Sequence, residues 1–474
     1  MSKKINSKTS GKKLTVIPLM FMTAALFMTL RNLPAMAETG LQMIFFNFIT
    51  VFAFLIPIAL VSAELATGWP QNGVFHWIEA AFGTRIGFAS VWLQWIQSIF
   101  GMTSILAYVG GTLAYVFDPS LGDNKYFITA TIIITYWIAT FLNFKGTKRS
   151  GLISTIALSI GVLTPMILII AGGIFYAAKG NPIHMDLTLS KANLLPSLTN
   201  TTALLLFLNF IFGFAGIEVS ANHATEVENP QRNFPIALFS AAIIGFILTL
   251  LGAFAVGFIV PTNEIDYING SIETFSILFN EYHLQWLIPI LAFLIAMGAA
   301  GQVSTWIVGP IKGLWAAGIE GNLPRFFHKT NAAKVPTRML ILQAILISFI
   351  GLLFLLVNDV NSLFLILTSI AVILYCIMYV VLFAAAIKLR YKKPNVVRAF
   401  KIPGGKAGIW IVSSIGALTA IACFFIGFIP PTPLPVSSLS LYIIILAISL
   451  VAFISVPFII FGLKKTSWAQ NNNE

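Results

Sequence analysis

Apolar stretches long enough to cross a bilayer recur along the whole chain, separated by short polar segments. A spanning helix needs about 20 predominantly apolar residues. By that criterion twelve spans are predicted, at 14–38, 42–65, 86–117, 126–144, 151–176, 198–222, 234–260, 284–314, 338–357, 362–388, 408–429 and 440–463. The longest connections, at 177–197, 261–283 and 315–337, leave no room for a large soluble domain. Ligand chemistry is therefore expected within the spans or in short loops.

The N-terminus imitates a secretory signal: five lysines precede an apolar stretch, and Ala35-Met36-Ala37 resembles a cleavage site. Arg31 and Asn32 lie between that stretch and the site, and cleavage would leave an odd number of spans. The segment is read as the first helix.

Composition agrees. Of 474 residues, 58% are hydrophobic and 9% charged, against about 25% charged in a soluble protein. A net charge of +12 would suit a nucleic-acid partner, but its distribution points elsewhere. With the N-terminus inside, 24 of the 28 basic residues fall in cytoplasmic segments, and only Lys125, Lys179 and Lys191 fall outside. The remaining one, Arg31, lies in a span. Such a bias puts both termini in the cytoplasm of a multi-pass cell (inner) membrane protein and makes nucleic acid no partner. Cys376 and Cys423 lie inside apolar runs and offer no disulfide framework or metal motif.

Topology suggests a repeat where no repeated sequence is visible. The first span starts inside and the sixth starts outside, so five-helix units at 14–176 and 198–388 would be inverted relative to each other. The tail at 1–13, two further helices within 408–463 and a short tail at 464–474 complete the chain. Inverted-repeat transporters carry interrupted helices in corresponding positions. In the sixth span, Gly213 and Gly216 precede Glu218, which predicts a discontinuous helix with a carboxylate at its edge; a Gly-x-x-Gly packing face is the alternative. In the first, Thr29-Leu30-Arg31-Asn32-Leu33-Pro34 places a proline beside an arginine and an asparagine. Arg31 either pairs with a substrate carboxylate, which its planar fork suits, or snorkels to the outer headgroups.

Several strings then resemble a known family. Phe214-Ala215-Gly216-Ile217-Glu218 resembles the sixth-helix signature of the amino acid–polyamine–organocation (APC) transporter superfamily. Asn229-Pro230-Gln231-Arg232-Asn233-Phe234-Pro235, Ser304-Thr305-Trp306-Ile307-Val308-Gly309-Pro310 and Phe400-Lys401-Ile402-Pro403-Gly404-Gly405-Lys406 are similar to its bacterial glutamate/γ-aminobutyrate antiporter branch. The resemblance implies an all-α integral membrane protein of LeuT type: ten helices in a 5+5 inverted repeat plus two C-terminal helices. It also implies alternating access around a central amino-acid site, with exchange of external for internal substrate. Two departures stand out. Phe27-Met28-Thr29 replaces the glycine-rich break of the first helix, so contacts to a substrate α-carboxylate are expected to differ. Acid-resistance members have a longer C-terminal plug; this chain stops at Glu474, so that form of pH gating is not expected.

The expected cavity lies between the broken helices and the third, eighth and tenth spans. Tyr375 and Tyr379 share one face of the tenth, as do Gln302 and Trp306 in the eighth. Each pair either lines a pocket or packs. Gln94 and Gln97 in the third span contact substrate or bond neighbouring helices. The expected substrate contacts are Thr29, Leu30, Arg31, Gln97, Gly213, Gly216, Trp306, Tyr375 and Tyr379. Glu218 and Gln302 are expected in proton or substrate coupling. Glu64 and Glu38 are read as interfacial. His76 and His223 fall in inner loops and His184 and His283 in outer ones, none with a carboxylate or cysteine at metal-ligand spacing, so neither metal nor other cofactor is expected. No Walker A motif, channel filter or paired intramembrane catalytic motif is visible, which disfavours an ATP-driven pump, a channel and an enzyme. A secondary transporter remains: an amino-acid antiporter or, alternatively, a proton-coupled symporter, with amino acids, protons and the lipid bilayer as partners.

Overall fold

The computed structural model describes residues 15–69, 73–146, 157, 159–197, 199–220, 227–430 and 436–469. Lys148, Arg149, His223, Glu226, the start of the fifth predicted span and both chain ends lie outside the described residues. Among the described residues all regular structure is helical, and eleven helical runs are long and apolar enough to cross a membrane.

The first predicted span is not among the eleven because it is split into α1 (Val16–Phe27) and α2 (Leu33–Ala37), each too short to cross alone. The second comprises α3 (Gln42–Ile49), a π-helical turn over Thr50–Leu55 and α4 (Ile56–Gly68). Then follow α5 (Gly73–Phe82), α6 (Thr84–Phe117), α7 (Lys125–Asn143) and α8 (Thr164–Ala178). The sixth span begins as α9 (Thr201–Phe214) and breaks. After it come α10 (Pro230–Ile259), α11 (Gly270–Glu281), α12 (Ile288–Ala317) and α13 (Thr337–Leu352). The series ends with α14 (Val360–Lys392), α15 (Gly405–Ile426) and α16 (Val436–Gly462).

Two stretches read as connections are helices. α5 buries Phe75, Trp77 and Ile78, and α11 buries Ile272, Phe275 and Leu278. At ten and twelve residues both fall below the length needed to span. A search for spanning runs passes over them.

The two faces of the bundle differ as a lipid solvent requires. α6 runs through its centre, packed along α12 and α14. Ile134, Ile138 and Phe141 on α7, Ile341, Ile345 and Phe349 on α13, and Leu418, Ile421 and Phe425 on α15 are exposed in rows three or four residues apart. Continuous apolar surface of this extent belongs against acyl chains. Inside, small residues bring backbones together: a Cβ on Gly161 would meet the backbone of Leu294 and Gly298.

Candidate functional site

Both broken helices interrupt at the same depth of their sequences as the proline and glycines suggest. α1 stops at Phe27, Met28 is extended (φ −70°, ψ 124°), and Pro34 opens α2 in a first-turn position where its missing N–H costs nothing. The carbonyls freed there find side chains. Gln302 Nε2 donates to Met28 O at 3.2 Å and Ser271 Oγ to Leu30 O at 2.7 Å, while Arg31 N donates to Thr29 Oγ1 at 3.2 Å. α9 stops at Phe214; Ala215 is extended (ψ 149°), and Gly216 has φ +102°, which favours glycine. A short 3₁₀ turn over 217–220 follows. Gly216 N donates to the Tyr379 hydroxyl at 2.9 Å. The breaks face each other: a side chain on Gly213 would strike Asn32, and the rings of Phe27 and Phe214 lie 5.8 Å apart.

Between them lies a small cavity of about 20 Å³, bounded by Thr29, Arg31, Gly213, Gln302 and Trp306 among others. That is room for about one water. Arg31 does not snorkel. It is 1% exposed, its Nη1 donates to Ser104 Oγ at 2.7 Å, and its guanidinium lies 4.6 Å from the Phe212 ring centroid and 5.2 Å from that of Phe364. Ser104 is steadied in turn by Thr368 Oγ1 at 2.9 Å. No carboxylate of the described residues forms an ion pair with Arg31, and its Nε has no hydrogen-bond partner among them.

A second polar group adjoins the first through Trp306. Glu218 is buried and accepts from the hydroxyls of Tyr375 and Tyr379, the latter at 2.7 Å, and from Gln94 Nε2 at 3.0 Å. The tyrosine rings stack at 4.6 Å. Trp306 sits edge-on to Tyr375, centroids 6.4 Å apart, and fills the space a Cβ on Gly216 would need. Of the two third-span glutamines, Gln94 reaches this cluster, whereas Gln97 Nε2 turns back to the Gln94 carbonyl on its own helix. Ser104, Ser271 and Phe212 were not expected at the site. A signal existed for Ser104: with Gln94, Gln97 and Gly101 it forms a small and polar stripe at helical spacing on an otherwise apolar helix.

Glu64, at its end of the second span, is buried. It is 3% exposed and accepts from Arg390 Nη2 and from Ile402 N at 2.9 Å, with Arg398 Nε at 3.5 Å. Arg398 also donates to the carbonyls of Leu389 and Lys393. This network ties the end of α4 to the segment between α14 and α15. Glu38 is half-buried beside a polar cavity of about 500 Å³ that it shares with Tyr267 and Asp186. The reading that no histidine has a carboxylate at ligand spacing also needs correction. His76 and Glu79 are one turn apart on α5, and folding brings Glu320 to 3.0 Å from His76 Nε2, with one ligand atom from each of the three within 4.8 Å. The partners are already engaged: Glu320 with His76, and Glu79 with the Thr84 hydroxyl at 2.7 Å.

Helices interrupted within long apolar spans, their loose backbone beside a small cavity that Arg31, Gln302 and Trp306 border, are the architecture of a membrane transporter, in which irregular backbone is tolerated where it lines a cavity. The chain belongs to the amino acid permease family, whose model matches residues 14–470. It is 36% identical over 451 residues to an uncharacterized transporter of Legionella pneumophila, covering 95% of this chain and 97% of that protein. The glutamate/gamma-aminobutyrate antiporter of Lactococcus lactis subsp. lactis is 33% identical over 458 residues, 95% of this chain and 91% of the relative. A probable agmatine/putrescine antiporter of the same organism is 26% identical over 398 residues, 83% of each chain. These relatives are transporters, not enzymes, and the chain is a multi-pass membrane protein of their kind.

Proposed function

We propose that the protein is an amino-acid antiporter of glutamate/γ-aminobutyrate type, working by alternating access with both termini cytoplasmic. In this reading the units at 14–176 and 198–388 are inverted repeats, and the helices within 408–463 are an addition to them. The observation that carries it is Arg31: a buried cation, held by one hydroxyl and two aromatic faces, with no carboxylate of the described residues to neutralise it. Desolvating such a charge costs several kcal/mol, which a substrate carboxylate arriving at the cavity would offset. Thr29, Leu30, Gly213 and Gly216, at or beside the two breaks, are the further substrate contacts of this reading. Trp306 closes over them, Gln302 holds the first break, and Gln97 steadies the turn that bears Gln94.

The test is counterflow in proteoliposomes. Labelled glutamate is expected to accumulate in vesicles preloaded with γ-aminobutyrate and not in empty ones. Equal uptake into empty vesicles under a pH gradient would sink obligatory exchange. Unlabelled amino acids, agmatine and putrescine added as competitors separate an amino-acid site from a polyamine site.

Proton-coupled symport is the second reading, favoured by Glu218. This carboxyl is buried among Tyr375, Tyr379 and Gln94 with no cationic partner among the described residues, an environment in which proton loading and substrate entry compete for the same donors. Glu218→Gln keeps the shape and removes the titration. Unchanged pH dependence of uptake in that variant removes Glu218 from coupling.

A further inference from the structure

A further cavity, apolar in its lining, has no part in the central site. It measures about 560 Å³ and lies between Trp92 and Trp95 of α6, Leu314 of α12, Leu342 of α13 and Ile460 of α16, with Lys465 and Trp468 at the segment after α16. Its wall offers almost only carbon, because the indole N–H groups are spent elsewhere. Trp92 donates to Phe453 O at 3.2 Å and Trp95 to Gln343 Oε1 at 3.0 Å. An amino acid would leave its charges unpaired there.

The cavity sits at the perimeter of the bundle. Ile341, Ile345 and Phe349 of α13, Ile459 of α16 and Leu463 just after it are exposed on the outward surface of the segments that form it. One end is basic. Lys465 is exposed and lines the cavity, and its basic neighbours in the fold already have partners: Lys464 Nζ donates to Asn322 Oδ1 at 2.8 Å, Arg325 to Ala469 O at 3.0 Å and Arg338 to Phe326 O at 2.9 Å. The Glu320 carboxylate on this side is taken by His76. Trp468, half-buried beside Lys465, is the residue type that settles at headgroup level.

We propose that this cavity holds one acyl chain of an anionic phospholipid whose phosphate rests on Lys465. Charge complementarity selects the occupant: an apolar slot open to the lipid face, with a cation at one end, suits a lipid with a negative headgroup better than a zwitterionic one. In the proposed orientation the lipid belongs to the cytoplasmic leaflet.

The test uses the full-length protein in detergent, titrated with phosphatidylglycerol, with phosphatidylcholine of the same chains, and with glycerol 3-phosphate. Retained lipid is read by native mass spectrometry and stabilisation by thermal melting. Phosphatidylglycerol is expected to be retained about five-fold more strongly than phosphatidylcholine, the worth of one lysine at an anionic surface. Lys465→Ala is expected to erase that preference with the protein still folded, and Leu342→Trp, which fills the slot, to lower retention of both lipids. Equal retention of the two lipids by the wild type overturns the proposal. So does a preference that survives both substitutions, and so does equal stabilisation by glycerol 3-phosphate, which has no chain to insert.

Discussion

Arg31→Met separates an anchor for substrate from a strut for the fold, because the two roles predict opposite signs. As a strut, Arg31 contributes a charged hydrogen bond to Ser104, worth about 1.5–3 kcal/mol, and two contacts with aromatic faces, each about 0.5–2 kcal/mol. Against these stands the desolvation of a guanidinium, still several kcal/mol after relaxation. The two sides nearly cancel. Methionine keeps an apolar stem between Phe212 and Phe364 and discards the uncompensated charge. The substrate-free variant is therefore expected to melt at or above the wild-type temperature. Its affinity for glutamate should fall by about 10- to 150-fold, the equivalent of one lost charge-assisted hydrogen bond. Arg31→Lys, which keeps charge without the planar fork, should fall between. Melting by intrinsic fluorescence and binding by calorimetry on the same preparation give both quantities. A variant that melts far lower but binds glutamate like the wild type would refute the reasoning.

Gly216→Ala combines a left-handed backbone with a collision against the Trp306 ring, so exchange is expected to drop more than about ten-fold at normal membrane expression; wild-type rates would show the break to be tolerant. Glu64→Gln leaves Arg390 and Arg398 without their shared carboxylate and should cost about 3–5 kcal/mol, seen as a lower melting temperature that the added change Arg390→Gln partly restores. On α11, burial first, and then Asp266 and Asp123, push the Glu273 carboxyl from 4.5 up to about 7. The folded state holds that proton more tightly than the unfolded one, so this contribution is complete below about pH 4.5 and is lost as pH rises through 7. Discounted for partial exposure it amounts to about 1–2 kcal/mol. Wild-type melting temperature should therefore fall from pH 5 to 8, and Glu273→Gln should flatten that slope.

Much of this architecture is written in one-dimensional features. Apolar length marks the spans, and the break at Pro34 and the pair Gly213 and Gly216 announce themselves as poor helix formers. Pairs four apart, such as Tyr375 and Tyr379, carry their shared face in their spacing. What the chain does not reveal is azimuth. Nothing in the order of residues tells whether Gln94 or Gln97 faces the sixth helix, nor whether Arg31 turns outward to water or inward to Ser104, 73 positions away. Glu64 illustrates the same gap, since its partners lie beyond the reach of any local pattern. The family's first-helix glycines are dispensable here because Met28 needs only an extended conformation, open to any residue.

The Glu64 network also imposes an order in time. Its carboxylate belongs to the second helix to be made, while the amide that completes its shell, Ile402 N, comes 338 residues later. At typical synthesis rates that interval is roughly 20–70 s. During it the early helices stand in the bilayer with Glu64 near one end, hydrated at the surface and uncommitted to its arginines. The carboxylate gains its full set of partners only when Arg390, Arg398 and the segment up to Ile402 arrive, so the network closes late and fastens the second span to the end of α14 and the segment after it.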